Sequence, residues 1–190
     1  VATHNENIYY SLSNDAWEVI CITKDGWSVV GNPPILFRRY SHQRQQVKPV
    51  PGGDVWKIFD FVNVKHEDDK IIFLVLLISC IIPDFPHPIL YLHGPQGSAK
   101  STASRMLKRI IDPSRIEVSE IPRNKQELVQ IMAHHWFLTF DNISEIHDVL
   151  SDIMCRAVTG SGFSKRELYT DDNDVIYDFK RCLSINGINV

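Results

Sequence analysis

The hydrophobic and polar positions change their period about a quarter of the way along the chain. Trp17–Thr23 alternates and is rich in β-branched residues, and residues 27–30 repeat that pattern after Lys24-Asp25-Gly26. An Asp-Gly pair between two such runs predicts a β-hairpin. Residues 1–53 therefore read as a small β-rich segment.

From residue 54 onward, apolar runs of strand length alternate with amphipathic helices. The predicted strands are Ile89–Leu92, Ile116–Val118, Trp136–Phe140 and Cys182–Ile185. The predicted helices are a buried one at Ile71–Ile82, one that follows Ala99, one at Lys125–Ala133 capped by Asn124, and one at about Ile146–Val158. The stripe expected to bury the second helix is Ala103, Met106, Leu107, Ile110 and Ile111. This alternation predicts an α/β layered domain with a mostly parallel sheet over residues 54–190.

Composition narrows the class of protein. The chain has 190 residues, 44% hydrophobic and 23% charged, as in an ordinary globular protein. Because its net charge is −3, no overall attraction to nucleic acid is expected, and any contact with nucleic acid would be local. The longest apolar run is too short for a bilayer, so no membrane partner is expected. The four scattered cysteines are interpreted as buried reduced thiols of a cytoplasmic protein. The chain reads as a fragment of a longer protein.

A basic stretch joins the two parts. Arg38, Arg39, Arg44 and Lys48 meet no acid before Asp54. We interpret residues 38–53 as an exposed linker, and contact with nucleic acid is the alternative. The tryptophans are interpreted as packing residues rather than platforms for bases; they are Trp17, Trp27, Trp56 and Trp136.

The strongest chemical signal is a glycine-containing loop between a strand and a helix. Residues 94–102 nearly match G-x-x-x-x-G-K-[ST], the pattern of a phosphate-binding loop. Its backbone N–H groups and the helix N-terminus would face phosphates. Lys100 would reach the terminal phosphates, and Ser101 would bind Mg²⁺. Ala99 replaces the second glycine, and we expect its methyl group to crowd the phosphates.

Polar residues at two strand ends could complete this site. Asp141 follows an apolar strand and could hold Mg²⁺ together with Ser101, or it could simply cap a loop. Asn142 stands where a second acid often orients the attacking water, and an amide cannot take a proton, so Glu145 is an alternative. Asn186 could contact a γ-phosphate or form a turn before a glycine.

Two arginines are candidates for stabilising charge across a subunit interface. They are Arg156 and Arg166, and surface ion pairing is the alternative for both.

With these residues placed, the chain resembles a known group. It is similar to the P-loop ATPase core of helicase-like proteins that phages and integrative elements encode with primases, a group related to AAA+ ATPases and superfamily-three helicases. The segments that carry the resemblance are 90–102, 137–144, 155–162, 165–171 and 183–188. The resemblance covers about residues 53–190.

The resemblance implies a role for each matching residue. The Walker A loop would bind nucleotide through Gly94, Pro95, Gln96, Gly97, Ser98, Ala99, Lys100, Ser101 and Thr102. Asp141 would be the Walker B acid and Asn186 the sensor-one amide. Residues 164–179 would form a hairpin that relatives push into a DNA channel. Its acidic tip, 171–174, would repel phosphates, so DNA contact would rest on Lys165, Arg166, Lys180 or Arg181.

These observations lead to an expected function. The chain would be an ATP-binding, Mg²⁺-dependent NTPase core, the helicase or translocase motor of a phage or mobile-element replication protein. The full-length protein would form a homo-oligomeric ring and contact DNA. The alternative is a nucleotide-gated switch or assembly module with little turnover, and a third reading is a small-molecule kinase.

Overall fold

The computed structural model describes residues 1–122, 124–143, 145–166 and 174–187. The chain divides into two compact units. Unit 1 comprises Val1–Asp84 and Arg105–Glu117, and unit 2 comprises Phe85–Ser104 and Val118–Val190. The predicted boundary between residues 53 and 54 stays a prediction.

Unit 1 begins with an antiparallel sheet. Its strands follow chain order: β1 (Ala2–His4), β2 (Asn7–Ser11), β3 (Val19–Thr23) and β4 (Gly26–Val30). The pairing of Thr23 with Gly26 confirms the predicted hairpin. Alternate residues face one side, and there Tyr9, Val19 and Cys21 are buried.

A short 3-10 helix at Val55–Asp60 precedes α1 (Glu67–Ser79). The expectation of a wholly buried helix is wrong. Four of its apolar residues are buried, but four others are more than half exposed: Ile71, Ile72, Val75 and Ile78. A nearly uniform apolar run cannot indicate which face turns inward, so the pattern alone could not reveal this.

The basic stretch is hydrogen-bonded rather than detached. We call residues 38–48 the basic strap. Gln43 pairs with Ser114 in an antiparallel bridge. The N–H of Arg44 donates to the Pro113 carbonyl at 2.9 Å, and the N–H of Arg115 donates to the His42 carbonyl at 2.8 Å. Backbone hydrogen bonds therefore hold the middle of the strap against the segment 113–115 of the same unit.

Unit 2 contains a parallel sheet. Its strands are β5 (Leu90–His93), β6 (Phe137–Ile143) and β9 (Cys182–Gly187), in the order β5-β9-β6. Ser119 adds a single parallel bridge beside β6. The expected strand at Ile116–Val118 is wrong, because Ile116 is 53% exposed and pairing is confined to Ser119.

The helices are α2 (Lys100–Ile111), α3 (Lys125–His134) and α4 (Asp148–Thr159). The predicted cap of α3 is confirmed, since the Asn124 side chain accepts from the N–H of Gln126. None of the helices in the described part of the chain is long and apolar enough to span a membrane. The core beneath the sheet includes Met132, Phe140, Met154 and Leu183.

The buried stripe of α2 differs from the expected one. Its buried positions are Ser104, Leu107, Lys108 and Ile111, whereas Ile110 is 47% exposed. The Lys108 ammonium lies 2.6 Å from the carboxylate of Asp112, which allows its burial. The predicted helical period is therefore correct, but the buried face is shifted by about one residue along the sequence.

The predicted hairpin is also present. Strands β7 (Phe163–Arg166) and β8 (Asp174–Tyr177) pair antiparallel. Most of the acidic tip, residues 171–173, lies outside the described residues. Among the cysteines, three are buried as expected, and Cys155 is exposed.

Candidate functional site

A cleft lies at the carboxyl edge of the parallel sheet. Because β5, β6 and β9 run in parallel, their last residues meet at this edge. The cleft has a volume of about 520 Å³ and is lined by Gln96, Gly97, Ser98, Ala99, Lys100, Ser101, Thr102, Asp141, Asn142, Asn186 and Gly187. Three distant segments of the sequence thus contribute to one cleft, while Gly94 and Pro95 lie outside its lining.

The loop before α2 takes a backbone path that favours glycine. Gly94 has φ 150°, Gly97 has φ 81° and Ala99 has φ 63°. A side chain at position 94 would place its Cβ 2.9 Å from the Ser98 hydroxyl. Ala99 holds a left-handed conformation that costs an L-residue roughly 1–2 kcal/mol. The alanine therefore keeps the turn that a glycine would make, with backbone strain.

Lys100 lies across this loop. Its ammonium donates to the carbonyls of Gly94 at 2.7 Å and Pro95 at 2.9 Å. The Ser98 hydroxyl is 3.4 Å away. The ammonium of Lys100, which lines the cleft, thus holds the end of the loop against its beginning.

Asp141 and Asn142 form an irregularity in β6. The register with β9 shifts between Phe140 and Ile143, and Asn142 has φ 57°. Asparagine tolerates this left-handed conformation better than most residues. The N–H of Asn142 is shared between the Asp141 carboxylate, at 2.8 Å, and the Asn186 side-chain carbonyl, at 3.0 Å. One carboxylate oxygen of Asp141 is therefore held in place.

Asn186 is buried, with 1% of its surface exposed. Its oxygen accepts from Asn142, and its amide nitrogen donates to the hydroxyl of Ser104 at 3.3 Å. The backbone N–H requires an acceptor, so the orientation of the amide follows from its partners. Sequence reasoning missed Ser104, although a small polar residue one turn after Lys100 on the inner face of α2 was a usable signal.

Several other candidates lie elsewhere. The Arg156 guanidinium donates to the carbonyl of Gly162, next to the end of α4, and does not line the cleft. Arg166 belongs to β7. Glu145 lines a second cleft of about 710 Å³, and among the described residues Asp141 and Asn142 line both clefts.

Arg181, one of the residues on which DNA contact would rest, is hydrogen-bonded to the end of α3. Its guanidinium donates to the carbonyls of Met132, at 2.6 Å, and Ala133, at 3.2 Å. It therefore satisfies carbonyls in the last turn of α3, where a positive charge is favourable.

The geometry defines an α/β unit with a glycine-containing loop, an acid and a buried amide at the carboxyl edge of its parallel sheet. A family model described as "actinomycete integrative conjugative element replication protein" matches residues 55–190, well over half of the chain. The chain belongs to this family. The expected relation to replication proteins of integrative elements is thereby confirmed. A search of curated proteins gave no match.

Proposed function

We propose that the chain binds ATP with Mg²⁺ in the cleft and serves as the NTPase core of a replication protein of an integrative conjugative element. The observation that carries the proposal is the convergence of the 96–102 loop, Asp141 and Asn186 on one cleft. Its volume of about 520 Å³ is in the range of sites for small molecules and cofactors.

The beginning of α2 supports phosphate binding. The first N–H groups of a helix have no acceptor within it, and the helix dipole adds partial positive charge there. In this position the Lys100 ammonium holds two carbonyl oxygens, which it could exchange for phosphate oxygens. The exchange replaces neutral acceptors by charged ones, which are stronger partners.

The ligand set also fits Mg²⁺. Ser101 and Asp141 both line the cleft and offer hard oxygen ligands. In the described ranges, no group of three or more His, Cys, Asp or Glu side chains is placed to hold a metal by itself. Magnesium bound here would therefore be coordinated jointly by these side chains and by the nucleotide phosphates, as is common for Mg²⁺.

We further propose that hydrolysis drives unwinding of DNA or translocation along it by a homo-oligomeric ring. The family description supports a role in replication. Phosphoryl transfer mainly requires positioning and charge stabilisation. Asn142 and Asn186 could orient the attacking water, and an arginine from a neighbouring subunit would complete the site.

A nucleotide-gated switch is the second candidate. It is favoured by the amide of Asn142 at the position of the expected second acid, and by the placement of Glu145 in the second cleft. Such a site would bind ATP and turn it over slowly.

The first experiment is calorimetric titration of ATP and Mg²⁺ into the wild type and Lys100→Ala. Hydrogen bonds to charged groups contribute about 1.5–3 kcal/mol, so we expect affinity to fall roughly 10- to 150-fold. Lys65→Ala, which removes an exposed lysine of unit 1, should bind like the wild type. If Lys100→Ala and the wild type bound ATP with equal affinity, the assignment of this cleft as the nucleotide site would be refuted.

Measurement of phosphate release separates the two candidates. Release that DNA stimulates in the intact protein supports the motor. Tight binding without release selects the switch, and transfer of labelled phosphate to a metabolite would indicate the kinase. Asp141→Asn should weaken the dependence of ATP binding on Mg²⁺.

A further inference from the structure

Unit 1 carries a surface that is rich in arginine. Six arginines come from the basic strap and from residues 105–115, and we call this group the arginine surface: Arg38, Arg39, Arg44, Arg105, Arg109 and Arg115. All but Arg39 are exposed. Lys48 lies at the end of the strap, and its ammonium pairs with Glu18 at 2.7 Å.

Four of these arginines lie in one region, as their backbone bonds and their effects on a shared carboxylate indicate. Arg44 and Arg115 flank the bridge between the strap and the segment 113–115. Arg109 forms two hydrogen bonds with Glu117, at 2.6 and 3.0 Å, and this pairing holds the pKa of that carboxyl below its usual range. The charges of Arg44 and Arg105 lower the same pKa further. Arg109 is the direct partner of this carboxylate, and the positive charges of Arg44 and Arg105 also act on it, so positive charge is in excess in this region.

Aromatic rings continue this surface along the strap. The Arg38 guanidinium lies over the Tyr40 ring, 5.0 Å from its centre. The rings of Tyr40 and His42 are stacked, with their centres 5.6 Å apart and their planes within 15°.

Trp17 adds a larger aromatic plane. The guanidinium of Arg39 lies 3.6 Å from the centre of its ring, and the residue is 54% exposed. Trp17 has φ 57°, a left-handed conformation that is strained for a bulky side chain. The turn is fixed by Asn14, whose side chain accepts from the N–H of Glu18 and donates to its carboxylate. The strained turn leaves about half of the tryptophan exposed to solvent, where a ligand can contact it.

We propose that the arginine surface, with Trp17 and Tyr40, binds single-stranded DNA. Proteins bind single strands by combining a positive path for the phosphates with aromatic planes for the bases. The flat groups here need unstacked bases, which favours a single strand over a duplex. The inference rests on the proposed role in replication, but it does not depend on nucleotide binding in the cleft.

The test is fluorescence anisotropy of the 190-residue chain with a labelled oligothymidine of about 20 nucleotides, at several salt concentrations and without ATP. In Arg44→Ala/Arg115→Ala, we expect weaker binding and a salt slope smaller by roughly 1.4, because each lost phosphate contact removes about 0.7. The matched control, Lys57→Ala/Lys65→Ala, removes the same charge from exposed positions of unit 1 and should keep the wild-type slope.

The tryptophan has a matched control of its own. Trp17→Ala should weaken binding roughly 5- to 150-fold through the loss of base stacking. Trp27, 44% exposed in β4, lies in the same unit, and Trp27→Ala should bind like the wild type. Circular dichroism and thermal melting would show whether each variant folds.

Three results would overturn the proposal: no binding by the wild type, equal losses in both charge variants, or equal affinity for duplex DNA and heparin with no effect of Trp17→Ala. The last result would mean a general polyanion surface. Lys100→Ala should keep its DNA affinity, and the arginine variant should keep its ATP affinity. The two functions can therefore fail separately.

Discussion

Replacing Ala99 by glycine would test how the loop at the cleft is built. With φ 63°, Ala99 bears a left-handed penalty of roughly 1–2 kcal/mol that glycine does not. Glycine also gains entropy in the unfolded chain, which costs the folded state about 0.4–1 kcal/mol. At the midpoints of the two ranges, the difference leaves Ala99→Gly more stable by about 0.8 kcal/mol. In a protein of this size, that raises the melting temperature by about 1–4 °C.

A second alanine of the same region provides the control. Ala103 lies inside α2, where the same change to glycine should lower stability by about 1 kcal/mol. The assay is thermal unfolding of both variants beside the wild type. One substitution should therefore have opposite signs at positions only four residues apart. Equal destabilisation at both positions would mean that residue 99 is not left-handed.

The same variant addresses the expected crowding of phosphates. Ala99 lines the cleft, so removal of its methyl group should strengthen ATP binding if the two are in contact. Calorimetry on Ala99→Gly would measure this directly. An unchanged affinity would show that the methyl group costs only backbone strain.

Further predictions concern three buried polar side chains. Asn186→Ala leaves the N–H of Asn142 without one of its two acceptors and should cost about 1–3 kcal/mol in denaturant unfolding. An unchanged stability would refute the bonding described. Burial, and to a lesser degree the charge of Lys180, lower the pKa of His87 to about 4. The unfolded chain therefore binds the proton first, and stability should fall by about 2 kcal/mol from about pH 7 to pH 5. His87→Phe should remove that loss, and an identical pH profile would contradict it. Lys108→Met removes the ammonium that lies 2.6 Å from the Asp112 carboxylate and should cost roughly 3–5 kcal/mol, and Lys108→Met/Asp112→Leu should recover most of this; a stable single variant would refute a buried pair.

The elements of unit 2 could be predicted because their signals are local. Asn124 caps the helix that it precedes, and the apolar run before Gly94 forms β5. The ends of β6 and β9 were also expected to meet, since the ends of parallel strands share an edge. These inferences need only short spacings and one rule of topology.

Other features depend on contacts that the sequence does not contain. The irregularity at Asn142 is defined by a hydrogen bond to a residue 44 positions later. Lys108 is inside because Asp112 is placed to neutralise it. A helix period gives an approximate apolar face, and a buried ion pair can shift that face by one position.

The strap and its tryptophan show the limit of composition. An arginine-rich stretch without acids reads as a solvated linker, and a tryptophan reads as a packing residue. Both interpretations change once the backbone bonds of Arg44 and Arg115 and the exposure of Trp17 are known. Exposure is a property of the neighbours of a residue, so it cannot be read from the residue itself.

The buried amide of Asn186 links the parts of the proposed site. It joins Ser104 on α2 to the N–H of Asn142 on β6, and that same N–H holds the Asp141 carboxylate. If the amide turned toward a phosphate in the cleft, it would have to give up at least one of these bonds. The lost bond would be either the one to the Ser104 hydroxyl on α2 or the one from the Asn142 N–H, which Asp141 also accepts. In the proposed function, occupation of the phosphate site and the position of the acid that holds Mg²⁺ are therefore coupled through one side chain.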